Sequence, residues 1–172
     1  MFSRTGRFLA VLIVPALVLA ASSASAEAPA APPLPPIFDP DALGTKAVDA
    51  AVEVCNESSR RMFIVLGTND CPSCRVFNDV LVEQEFFKDF IQQFVPVLID
   101  VSPKGPNVDF LKNYRIDRKK GFPAVAIFEG GSVEPLITRN GEMVKVIKKG
   151  PDAIRTWIRS HFKEKAEEPK KP

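Results

Sequence analysis

The sequence predicts an α/β protein, a central mixed β-sheet flanked by helices on both faces. Three observations carry this. The short apolar runs "RMFIVLG", "VPVLIDV" and "PAVAIF" have the length and composition of buried strands. Between them, apolar residues recur at helical spacing, so helices alternate with strands. Gly130-Gly131 and Asn140-Gly141 are turn signals, which call for antiparallel strands in the C-terminal part. Early strands separated by helices need crossover connections, and these lay the helices against the sheet.

The elements follow in order. Basic Arg4 and Arg7, an apolar stretch over residues 8–20 and the small-residue pattern Ala24-Ser25-Ala26 form a secretory signal peptide over residues 1–26. The apolar stretch is short for a spanning helix, which needs about 20 residues. Residues 27–40 hold six of the sixteen prolines and read as an extended, semi-rigid linker outside the core. The folded domain is expected over 41–165, with a charged, frayed tail over 166–172. Val48, Ala51, Val52 and Cys55 share one face of a first helix. A strand over "RMFIVLG" follows, then a helix after Cys71, with Pro72 at its first position, where a missing N–H costs nothing. "VLVEQEFFKDFIQQF" continues the helical pattern with room for a break. Next come a second buried strand, a short helix over "NVDFLKNYRI" and a third strand. The segment over residues 129–150, which holds both turn signals, is expected to supply antiparallel strands. A last amphipathic helix has Asp152 near its start and Ile154, Trp157, Ile158 and Phe162 on one face.

Charge excludes one class of function. Removing the signal takes Arg4 and Arg7 from 23 basic residues, leaving 21 against 21 acidic ones, which offers nucleic acid no attraction. Export to a periplasm or comparable space decides how the three cysteines are read. An odd count leaves at least one outside an internal disulfide. Cys55, on an apolar helix face, reads as a buried small hydrophobe, with a regulatory thiol as the other reading.

Cys71 and Cys74 form a Cys-x-x-Cys pair. A structural zinc site needs four ligands, and one further cysteine and the distant His161 do not supply them. A structural disulfide closing so small a loop would constrain the unfolded chain little. Copper(I) held by two thiolates stays open. Redox chemistry has the strongest physical basis. A helix N-terminus after a buried strand stabilises a thiolate at Cys71, and Cys74, one turn on, can attack a mixed disulfide formed there. That chemistry requires no organic cofactor.

Pro123 opens the strand of "GFPAVAIF". On this segment, on "MFIVLGTNDCPSC" and on "VPVLIDVSPKGPNVDFLKNYRI", the chain resembles the thioredoxin-fold superfamily over about residues 45–163. It is similar above all to exported members such as the C-terminal domain of DsbD. The resemblance implies that Pro123 is a cis-proline lying against the cysteine pair. It implies also that the Phe122 backbone pairs with the substrate.

The pattern departs from the family in places. Val65 stands where thioredoxin has a buried acid, so water or another side chain must take the proton of the resolving thiol. Asp70 replaces the usual tryptophan, and a carboxylate there opposes the thiolate at Cys71. Pro72 and Ser73 separate the cysteines, and without a histidine between them a less oxidising pair is expected. Arg118, Lys119 and Lys120 lie beside the expected substrate groove and read either as a contact for acidic partner segments or as a solvated loop. His161 reads as a surface residue and Trp157 as core. The expectation is therefore a monomeric, periplasmic thiol–disulfide oxidoreductase acting on protein partners, as a reductase fed by a membrane electron donor. The oxidase or isomerase direction and copper(I) binding are the alternatives.

Overall fold

The computed structural model describes residues 34–129, 132 and 134–162. The signal peptide, Gly130-Gly131 and the charged tail lie outside these residues. In chain order the elements are α1 (Gly44–Ser58), β1 (Arg61–Gly67), α2 (Pro72–Leu81), α3 (Gln84–Gln93), β2 (Phe94–Asp100), α4 (Asp109–Asn113), a 3₁₀ turn (Arg118–Lys120), β3 (Ala124–Phe128), β4 (Ile137–Arg139), α5 (Glu142–Ile147) and α6 (Pro151–Arg159).

The strands form one mixed sheet in the order β2-β1-β3-β4. β1 runs parallel to β2, with Gly67 opposite Asp100, and antiparallel to β3, which pairs antiparallel with β4. β1 alternates between two apolar layers, as its pleat requires. Phe63 and Val65 face the layer of α2, α3, α5 and α6. Met62, Ile64 and Leu66 face the layer of α1 and α4, where Cys55 is buried. Helices on both faces leave β1 and β3 almost without solvent, which is why their sequences are continuous apolar runs.

Three expectations are corrected. β2 is an edge strand with Val95, Pro96 and Leu98 only half-buried, and an edge tolerates Pro96, which cannot donate to a ladder. Of the antiparallel strands expected over residues 129–150, the described residues contain β4 alone, and among them no strand follows Asn140-Gly141. Gly141 adopts φ +81° and α5 begins at once, because Met143, Val146 and Ile147 fall at helical spacing and meet the core. The segment read as a linker also differs over residues 34–40. Phe38 is 2% exposed and belongs to the core layer of α2. Proline fixes the backbone but does not keep an intervening apolar side chain out of a core.

Candidate active site

The loop Thr68–Cys71 carries the chain from β1 to α2 and closes with a turn from Cys71 N–H to the Thr68 carbonyl at 3.2 Å. Cys71 is the N-cap of α2 and Pro72 its first residue. Cys71 Sγ accepts the Cys74 N–H at 3.1 Å, so one orphan donor of the helix start is aimed at sulfur. That is the arrangement that favours negative charge there. Cys71 and Cys74 are joined as a disulfide, their Cα atoms 5.2 Å apart. The two sulfurs differ in access: Cys71 is half-buried and Cys74 is 2% exposed.

The loop before β3 forms the facing wall. The Phe122–Pro123 peptide is cis, Pro123 is buried, and the Phe122 carbonyl oxygen lies 3.6 Å from Cys71 Sγ. Arg118 fixes this loop: it donates to the Val101 carbonyl after β2, and its guanidinium carbon sits 5.5 Å from the centre of the Phe122 ring. Of the basic run, Arg118 thus has an internal task, while Lys119 and Lys120 are exposed.

The structure brings Cys71, Cys74, Phe122 and Pro123 together. Asp70 is exposed beside them, Pro72 is exposed and Ser73 half-buried on the first turn of α2. Val65 is buried in the layer that holds Cys74, so β1 presents no acid there. Among the described residues no three of His, Cys, Asp and Glu group together as metal ligands. Trp157 is half-buried against the core, and His161, also half-buried, holds its Nδ1 2.7 Å from the Trp157 carbonyl.

The family of sequences described as thioredoxin-like matches residues 44–130, half of the chain. The chain belongs to the thioredoxin-like family. Among solved structures, this thioredoxin-like protein is similar to a disulphide isomerase from Xylella fastidiosa Temecula1. Identity is 23%, the TM-score 0.66, and the match covers 74% of this chain and 97% of that one. The reduced C-terminal domain of DsbD from Neisseria meningitidis matches at 22% identity and a TM-score of 0.44, over 67% of this chain and 95% of that one. No curated protein matches.

Sequence reasoning missed several residues that build this thioredoxin-like site. Asn69, in the loop before the cysteines, accepts the backbone N–H groups of Ile37 and Phe38 at 2.8 and 3.0 Å and donates to the Phe38 carbonyl at 2.9 Å. Arg75, on α2, donates to the Pro35 carbonyl at 3.1 Å. The signal available was the pair Ile37-Phe38, large apolar residues inside a proline-rich stretch.

Proposed function

We propose that the chain is an exported thiol–disulfide oxidoreductase that exchanges disulfides with protein partners through Cys71 and Cys74. The observation that carries this is the asymmetry of the pair. Cys71 Sγ is reachable at a helix start, within 3.6 Å of the Phe122 carbonyl, while Cys74 is sealed behind it. An accessible nucleophile with a sheltered resolving thiol is what the exchange requires.

In the reductive direction, the Cys71 thiolate attacks one sulfur of a partner disulfide. A Cys71–partner disulfide forms, and the other partner sulfur leaves as a thiolate and takes a proton. Cys74, losing its own proton, then attacks Cys71 Sγ. The Cys71–Cys74 disulfide forms and the partner is released as a dithiol. Two electrons pass from the pair to the partner, and a donor dithiol must return them. Pro123 and the Phe122 backbone orient the partner chain along the groove. Asp70, Pro72 and Ser73 set the environment of the attacking sulfur. The signal-like residues 1–26 support a periplasmic location, where a membrane electron donor supplies the reductant.

Cys74→Ser tests this reading. The variant should accumulate mixed disulfides through Cys71 with exported proteins, resolved by dithiothreitol and absent in the Cys71→Ser variant. No trapped species in the periplasm would refute it. A reduction potential near about −270 mV assigns the reductase direction, and one near about −120 mV reverses it.

A further inference from the structure

The segment Leu34–Asp39 precedes the first helix yet lies at the cysteine pair. Its backbone is latched at two points, Asn69 holding Ile37 and Phe38, and Arg75 holding Pro35. Both latches belong to the active-site loop and helix. The Phe38 ring is the buried end of this strap. A Cβ placed on Gly67 would lie 2.7 Å from Phe38 Cζ and 2.8 Å from Cys74 Sγ. The ring and the resolving sulfur therefore converge on the same bare point of β1, and the missing side chain is what lets them meet.

We propose that Phe38 is a positioning residue for the resolving thiol, sealing Cys74 Sγ from water so that its proton leaves slowly. The proposal rests on the reading in which Cys74 resolves the mixed disulfide. A thiol in apolar surroundings resists ionisation, and Cys74 can attack only after its proton has gone to water; the partner thiolate expelled by that attack then takes a proton from water. The groups around Cys74 leave this apolar wall uncompensated. On β1 the bare Gly67 meets the sulfur, and the core layer that holds Cys74 is closed by Val65, Met143, Ile154 and Ile158, none of which carries a charge. On α2, the Arg75 guanidinium reaches away to Pro35, and Asp70 ahead of the helix is exposed. On the strap, Asp39 is exposed. β2 offers Asp100, 1% exposed opposite Gly67, whose carboxylate accepts the Ser102 N–H at 2.8 Å. Withdrawing the strap would admit water to the sulfur and shorten the life of the mixed disulfide.

The test uses the full chain carrying Cys71→Ser, with iodoacetamide labelling of Cys74 followed by mass spectrometry across pH. Phe38→Ala should move the labelling midpoint of Cys74 to lower pH. At neutral pH its rate should rise at least about tenfold, the ratio for one unit in thiol pKa. Phe38→Leu should restore most of the protection. Cys55, buried in the opposite layer, reports the fold and should label no faster. If both cysteines label faster, Asn69→Ala decides, because it frees the strap without removing a core side chain. A faster Cys74 there, with circular dichroism unchanged, supports the proposal, and an unchanged Cys74 overturns it. An unchanged rate and midpoint in Phe38→Ala with Cys55 still protected also overturn it. Labelling needs no exchange partner, so a shifted midpoint in a protein that traps nothing would keep the seal and sink the oxidoreductase reading. Trapped partners with no shift would do the reverse.

Discussion

At Gly67 one hydrogen atom stands where any other residue would place a carbon against both an aromatic ring and a sulfur. The backbone cannot yield easily, because Gly67 is paired with Asp100 and its carbonyl accepts the Val101 N–H at 2.9 Å. The strap can yield, since polar latches hold it. Gly67→Ala should therefore expel Phe38 rather than distort the sheet. Overpacking of this kind costs about 1–3 kcal/mol. The expected result is an unfolding free energy in urea lowered by that amount, with Cys74 labelled as fast as in Phe38→Ala. A stable protein with a protected Cys74 would show that the contact relaxes at no cost.

Among the elements, α1 shows how a site is held from a distance. Leu43, at its N-cap position, makes no side-chain cap hydrogen bond. Asn107, far along the chain and buried, replaces the cap: its Oδ1 accepts the Gly44 N–H at 2.8 Å. Its Nδ2 donates to the carbonyls of Ala42 at 2.9 Å and Asp100 at 3.1 Å. One amide thus ties the start of α1 to the end of β2, beside Gly67. Removing it leaves a buried donor and two carbonyls without this partner, at about 1–3 kcal/mol for each buried group left unsatisfied. Asn107→Ala should destabilise the protein by about 3 kcal/mol in urea unfolding. Asn107→Asp should do no better, because it keeps the acceptor, loses the two donors and buries a charge. A loss under about 0.5 kcal/mol, the usual range for surface substitutions, would show that the amide is not this tie.

For the whole molecule, the sequence told most where a pattern is local. β1 and β3 were legible because burial on two faces makes an apolar run, and the start of α2 because Pro72 follows its cap. Cys71, Cys74, Phe122 and Pro123 were legible as a set only through a family resemblance, since 48 residues lie between Cys74 and Pro123. α5 was hidden by Asn140-Gly141, a dipeptide that serves a helix start as well as a hairpin. Asn69 and Asn107 were illegible, and the burial of Phe38 unplaced, because the bonds that tie them to the strap and to the start of α1 span 31 to 65 residues. The same long-range packing sets the protein's behaviour in alkali. Tyr114, the one tyrosine of the chain, is half-buried, its ring edge-on to Phe110 at 5.7 Å and Phe128 at 5.5 Å. Burial raises its pKa above the ordinary 10.0, since the apolar layer disfavours phenolate. Unfolding releases that constraint, so the unfolded chain loses its proton first. The contribution is whole below pH 10.0 and is lost as pH rises through the folded value. Between about pH 9 and about pH 11, the oxidised protein should therefore lose more stability than its Tyr114→Phe variant. Phenolate absorbance, read on the single tyrosine, should rise later in the folded protein than in urea. Coincident absorbance curves, or a stability difference that ignores pH, would mean that the ring keeps ordinary access to water.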